Sequence, residues 1–249
     1  MSFFDLFRSN TATDAPARRR AQPGAARKWA AAVSKRAREH ERQAAIDALS
    51  RIGTEAAAVV LLRRFGFETE PSIIDRDEKE SAFKAIVAIG EDALPAVLDH
   101  CRRSESLTWP LRILREVLDE EAYVEAVVEL LADWDTEYVR NPDPKLHLLS
   151  ALEMVVDERV RPAVERYLED VHEPTRFQAV GTLLAQADPQ AAGALARALE
   201  REEAKRISHR IAEGLSIRRW LVPEAERAPL ARALPHPYRL DARGVVVRA

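Results

Sequence analysis

Residues 44–64, AAIDALSRIGTEAAAVVLLRR, and residues 81–101, SAFKAIVAIGEDALPAVLDHC, are two copies of one pattern. Each begins with apolar positions at helical spacing, breaks at a glycine (Gly53 or Gly90), and resumes with a second alanine-rich apolar stretch. The reading is two amphipathic helices joined by a tight turn, because a 3.6-residue period leaves one apolar stripe per helix to bury. Working outward, further copies turn at Asp119, Asp157 and Asp188, and a worn one near Val222, at intervals of 37, 29, 38, 31 and 34 residues. Self-similarity on that scale predicts a solenoid, in which each helix pair buries its apolar face only against its neighbours. The predicted fold class is therefore all-α: an α-α superhelix of about six helix pairs over residues 26–234. A flexible arm over 1–25 precedes it and a small capping β-hairpin over 235–249 closes it.

The stripes repeat along the chain. First helices carry Ile46, Leu49, Ile52; Phe83, Ile86, Ile89; Leu111, Leu114, Val117; Leu149, Leu152, Val155; and Val180, Leu183, Leu184. Second helices carry Tyr123, Val124, Val127, Leu131 and Val160, Val164, Tyr167, Leu168. Gly53 and Gly90 suit helix ends in the left-handed conformation, whereas the aspartates suit capping of the next helix. Pro189 suits a first helical turn. A first basic helix is expected from about Ala26, carrying Trp29 and Val33. Two long connections are expected, at 66–77 and 132–144, where a solenoid places variable loops. Tyr238–Leu240 and Val245–Val247 flank a glycine-containing turn, which reads as the hairpin.

Composition sets further bounds. Of the residues, 47% are hydrophobic and 32% charged, far too apolar for wholesale disorder. The single cysteine, Cys101, excludes an internal disulfide and a cysteine-based zinc site, and its place on the stripe Leu94, Val97, Leu98 makes it a packed thiol. No apolar run is long enough to span a bilayer, and MSFFDLFRSN lacks the pattern of a secretory signal, so a cytoplasmic protein is expected. Charge is uneven. Residues 1–64 hold 13 cations against 6 acids, net +7, and residues 65–103 hold 5 against 9, net −4. Residues 104–173 hold 7 against 18, net −11, and residues 174–249 hold 13 against 8, net +5.

The unit ESAFKAIVAIGEDALPAVLDHC at 80–101 and the weaker RFQAVGTLLAQADPQAAGALARAL at 176–199 resemble HEAT repeats of the short bacterial type, the class also seen in phycobilisome lyase subunits. The resemblance covers about residues 41–222 and rests on a packing pattern. It implies a right-handed α-α superhelix that serves as a protein-interaction scaffold. No chromophore-lyase activity is carried over, since nothing in the chain marks a bilin site.

Catalytic chemistry finds little support. HEAT-type folds include a di-iron hydroxylase whose repeats supply four His-Glu pairs, but this chain has two, His40-Glu41 and His172-Glu173, and they occupy inequivalent repeat positions. The remaining histidines (His100, His147, His209, His236) are scattered, no serine or cysteine sits at a strand-to-helix elbow, and no glycine-rich phosphate loop exists. Helical carboxylates are expected at solvated positions. The reading is accordingly a non-enzyme with no catalytic residue, metal or cofactor. A metal-dependent or lyase-like enzyme or accessory subunit is the alternative. Nucleic-acid binding is a second alternative, disfavoured because an acidic centre repels the phosphates it must grip. A protein or peptide partner with a basic segment fits that centre better. Trp and Tyr dominate binding hot spots, so the expected binding edge is Trp109, Trp134, Asp135, Tyr138, Asn141, Asp143 and Lys145, with His172 and Arg176 nearby. The apolar start, Phe3, Phe4, Leu6 and Phe7, reads either as a linear motif for a partner's groove or as a segment folded back on the first helices.

Overall fold

The computed structural model describes residues 23–249. The segment Phe3–Phe7, the basic triplet Arg18–Arg20 and most of the expected flexible arm lie outside the described residues. The protein is all-α with a C-terminal two-stranded hairpin. Its chain divides into two compact units, one ending at Ala126 and one beginning at Val127.

The first unit contains α1 (Pro23–Arg27), α2 (Glu39–Ile52), α3 (Glu55–Leu61) extended by a 3-10 turn (Leu62–Gly66), α4 (Ser72–Ile89), α5 (Leu94–Cys101) and α6 (Thr108–Val117). Helix α7 (Glu120–Ala132) holds the point of division. Helix α2 packs on α4 and α4 on α6, while α3 packs on α5. The faces that meet are those the apolar period dictates: Ala45, Ile46 and Leu49; Ala82, Phe83 and Ile86; Leu111, Ile113 and Leu114 are all buried. Each such Leu or Ile contributes roughly 1.5–3 kcal/mol relative to exposure.

Local chemistry sets the helix ends. The Arg38 amide donates to the Glu41 carboxylate at 2.8 Å, satisfying one free donor at the start of α2. The Ala122 amide donates to Asp119 Oδ1 at 2.8 Å at the start of α7. Gly53 ends α2 in the left-handed region at φ 58°, ψ 44°. Gly90 does not follow it: at φ 71°, ψ −143° it lies outside that region and turns the chain straight into a 3-10 turn, Gly90–Ala93. Two other expectations are corrected. Trp29 and Val33 do not lie on a helix, because α1 ends at Arg27 and the chain continues through three-residue turns such as Trp29 N–H to Ala26 O at 3.0 Å. A five-residue helix has too little length to propagate. The long connection at 66–77 shrinks to 67–71, since α4 begins at Ser72. Its first turn exposes Ile73 and its inner face includes Glu78, which together hide the apolar period.

Glu78 also overturns the expectation that helical carboxylates are solvated. It is 2% exposed and accepts from Arg42 Nε at 2.8 Å and Arg64 Nε at 2.7 Å. Arg64, fully buried, also donates to Asp75 at 2.8 Å and to the Phe67 carbonyl at 3.0 Å. Asp75 in turn pairs with Lys79 at 2.8 Å. One charged cluster thus ties α2, the 3-10 turn and α4 together.

The second unit contains α8 (Asp143–Glu153), α9 (Val160–Val164) with a 3-10 turn (Glu165–Glu169), α10 (Glu173–Ala185), α11 (Ala191–Arg201), α12 (Lys205–Arg218) and α13 (Glu224–Ala233). Helix α10 packs on both α8 and α12, and α11 packs on α13. Two buried side chains, one on α10 and one just past its end, hold the end of α8. Thr182 donates to the Leu149 carbonyl at 2.9 Å, and Gln186 donates to the Leu152 and Val155 carbonyls at 3.1 and 2.9 Å. The Leu152 carbonyl is among the last four of α8, which a helix C-terminus leaves short of partners, and the Val155 carbonyl lies just beyond it.

Gly214 lets α12 approach closely. A Cβ there would stand 2.3 Å from Leu184 Cδ1 and 3.0 Å from its Cγ. Gly214→Ala is expected to cost roughly 1–2 kcal/mol in urea denaturation, overpacking outweighing the helical advantage of alanine. A stabilised variant would mean that α10 and α12 separate freely.

Strands β1 (Tyr238–Leu240) and β2 (Val246–Arg248) pair antiparallel with Leu240 opposite Val246. They pack on α12 and α13, with Val246 fully buried. The Asp241 carboxylate accepts the Arg243 and Val245 amides, each at 2.9 Å, and fixes the turn.

Candidate functional site

Helix α7 ends at Ala132 and α8 begins at Asp143, leaving a connection over 133–142. Its course is set by local side-chain bonds. Asp135 Oδ1 accepts the Glu137 amide at 3.0 Å and Asn141 Oδ1 accepts the Asp143 amide at 3.0 Å, two Asx turns that take the place of regular structure.

Three successive carbonyls of this loop are then fastened to the body of the second unit. The Trp134 carbonyl accepts from the Tyr167 hydroxyl at 2.8 Å and from the Arg166 guanidinium. The Asp135 carbonyl accepts from Lys145 Nζ at 2.8 Å. The Thr136 carbonyl accepts from the Val171 amide at 3.0 Å. Tyr167 also donates to the Leu131 carbonyl at 2.6 Å, and burial pushes its phenol up to about 12, so it remains a donor at any physiological pH.

Lys145 is the central post. Its side chain and that of Asp170 are both 0% exposed, and they meet at 2.5 Å. The other oxygen of Asp170 accepts the His172 amide at 2.8 Å. The arrangement recurs one helix pair later. Arg176 meets Glu202 through two bonds of 2.8 and 2.9 Å, and Glu202 accepts the Ala204 amide at 2.8 Å. In both cases a cation in the first turn of one helix pairs with an acid just ahead of the next first helix. Arg176 further donates to the Asp170 carbonyl at 2.9 Å, joining the two posts. Between them lies an open groove of about 440 Å³ lined by Leu168, Asp170, Val171, Arg176, Ala198 and Glu202.

The predicted residues therefore divide. Trp134, Asp135, Lys145, His172 and Arg176 come together around the post, but Lys145 is an internal anchor with no surface to offer. His172 bonds Thr175 at 3.0 Å and Arg176 is committed to Glu202. Tyr138 and Asn141 belong to the loop and Asp143 opens α8, and Tyr138 is 81% exposed. Trp109 belongs to the first unit. It stacks on Phe65 at 5.4 Å and 7°, tilts against Phe83 at 6.0 Å, and is covered by Arg112. Sequence reasoning missed Arg166, Tyr167, Asp170, Val171 and Glu202. The signal was present in the near-equal separations Lys145–Asp170 and Arg176–Glu202, 25 and 26 residues.

The groups with other chemical potential are occupied. Cys101 is buried, which pushes its thiol up to about 12. Among the described residues no group of three or more His, Cys, Asp or Glu side chains is placed to hold a metal ion. No helix among them is long and apolar enough to cross a membrane.

No family model matches the chain, and no curated protein matches it. Among solved structures it is similar to one from the computational design of self-assembling cyclic protein homo-oligomers, at 11% identity over 85% of this chain and 88% of that one, with a TM-score of 0.16. At that TM-score the likeness bears on neither the fold nor the function of this chain.

Proposed function

We propose that the helix pairs of each unit are HEAT-like repeats and that the protein is a non-enzymatic adaptor, binding a basic, apolar-bearing peptide segment of a partner protein. The site is the loop edge of the second unit. The observation that carries this reading is the combination of a pinned loop backbone with an exposed tyrosine. Carbonyls of Trp134, Asp135 and Thr136 are all held from beneath, yet Tyr138 is 81% exposed and Val171, bonded to Thr136, is 56% exposed. A loop already ordered loses little further entropy on binding, and an exposed tyrosine offers a large rigid face with one polar handle. Asp133, Asp135 and Glu137 stand on the loop, with Asp143 at the start of α8, against one loop cation, Arg140, which gives the edge its preference for basic partners.

The test is selection from a displayed random peptide library against the full chain. Basic sequences with an aromatic or aliphatic anchor are expected, with affinities that fall between 50 and 500 mM salt as screening grows. Tyr138→Ala is expected to weaken the selected peptides by about 2 kcal/mol, roughly thirtyfold in Kd, without changing thermal stability. Binders indifferent to Tyr138→Ala, or a library yielding none, would refute the edge.

A further inference from the structure

The first helices of the second unit, α8, α10 and α12, run side by side in one direction. Thr182 and Gln186 bond the Leu149 and Leu152 carbonyls of α8, while Arg206 of α12 meets Glu173 and Gly214 lies against Leu184. Their C-terminal ends therefore line up. The turns that follow, over 154–159, 186–190 and 219–223, form one row roughly 20 Å long at ordinary helix spacing. Where the row projects it is apolar. Met154 and Val156 on the first turn, and Ile217 and Leu221 at the end of α12 and just after it, are each more than half exposed. Ala187 and Pro189 are exposed between them. Single exposed aliphatic residues are ordinary, but four at aligned turns mark an interaction surface. We propose that this row seats the second unit on an anionic lipid surface.

Charge selects the lipid. On the first two turns Asp157 pairs with Arg159 and Asp188 with Arg161, and Glu158 is exposed. Positive charge gathers at the last turn: residues 214–223, GLSIRRWLVP, hold two exposed arginines, Arg218 and Arg219, and no acid. The hairpin extends that surface. Leu221 pairs with Val245 in a single bridge, and Arg239 stands opposite Val247. Val246 is buried, so Val245, Val247 and Arg239 face outward. Aliphatic side chains interleaved with arginines suit the headgroup boundary, where the former enter the acyl layer and the latter meet phosphates. Shape favours lipid over a folded partner, because a fluid layer closes around projecting side chains whereas a protein must supply matching hollows. Trp220, buried, and the Val222 amide, bonded to the Gly244 carbonyl at 2.9 Å, hold the last turn in place. The loop edge proposed above lies at the opposite end of α8, so neither site depends on the other.

The experiment sediments the full chain with vesicles of phosphatidylcholine alone and with about 30% phosphatidylserine, at about 0.1 M salt. Binding to the anionic vesicles is expected to be more than about thirtyfold stronger and to fall at about 0.5 M salt. Arg218→Gln with Arg219→Gly is expected to weaken it roughly tenfold. Arg219 lies at φ 54°, which glycine adopts freely, so that variant keeps the turn. Ile217→Ser with Leu221→Ser is expected to weaken it at least about tenfold. Ile73→Ser, at an exposed aliphatic residue of the first unit, is expected to change nothing, circular dichroism confirming the fold of each variant. No binding, equal binding to both vesicles, or an equal loss in Ile73→Ser would overturn the proposal. Dimerisation without vesicles that Ile217→Ser with Leu221→Ser abolishes would assign the row to a second copy of the chain instead, and likewise overturn it.

Discussion

Glu78→Ala is expected to destabilise the first unit by roughly 3–5 kcal/mol, because it strands two buried guanidinium groups. Arg42 is 5% exposed and Arg64 0%, and Glu78 bonds both. Arg64 keeps Asp75 and the Phe67 carbonyl, whereas among the described residues Arg42 keeps the Ala37 carbonyl alone, at 2.5 Å. The net worth of such a cluster against apolar residues is a different quantity. The triple change Arg42→Met, Arg64→Met, Glu78→Leu is therefore expected to regain most of the lost stability. Amide hydrogen exchange in α2 and α4 reads both outcomes, and a loss below about 1 kcal/mol for Glu78→Ala would show that water reaches the arginines.

The same cluster sets an acid limit. Partial burial alone would raise the Asp75 carboxyl, but Lys79, Arg64 and the Thr69 amide outweigh it and hold it at about 2. An unfolded aspartate titrates near ~3.9. The folded value is the lower one, so this contribution is complete above that pH and is lost as pH falls towards 2. The stability difference between the protein and Asp75→Asn should thus be constant near neutrality and shrink in acid.

Lys145→Met is the second large effect, again roughly 3–5 kcal/mol, since the fully buried Asp170 carboxylate is left without its countercharge. Its consequence for function differs from that of Glu78. Lys145 also holds the Asp135 carbonyl, so exchange of the amides over 133–142 should rise beyond what global destabilisation accounts for. Adding Asp170→Leu is expected to restore only part of the stability, because the His172 amide then loses its acceptor. Unchanged loop exchange in Lys145→Met would mean that the Trp134 and Thr136 bonds suffice, and the pinned-loop basis of the proposed site would fail.

Much of this architecture was written in local pattern. The stripes Ile46–Leu49, Phe83–Ile86, Leu149–Leu152 and Val180–Leu183 are buried as their spacing requires, and the C-terminal hairpin forms where turn and strand residues alternate. A period is a property of neighbours in sequence, so it is legible there. The polar interior was not. Glu78 and Asp170 read as ordinary surface residues, and Lys145 as part of the binding edge, because nothing near them in sequence reveals their partners, which lie 36, 14 and 25 residues away.

The candidate edge shows the same division. Composition marked the loop by its tryptophan, tyrosine and acids, but only tertiary contacts turned Lys145 inward and left Tyr138 outside. A buried charge is tolerated only where another element supplies the opposite one, and which element does so is decided when helix pairs stack. The sequence by itself determined the helices, their apolar faces and the hairpin, through propensity and period. The tertiary structure decided which charges went inside and which loop carbonyls were held, because those depend on groups brought together from distant parts of the chain.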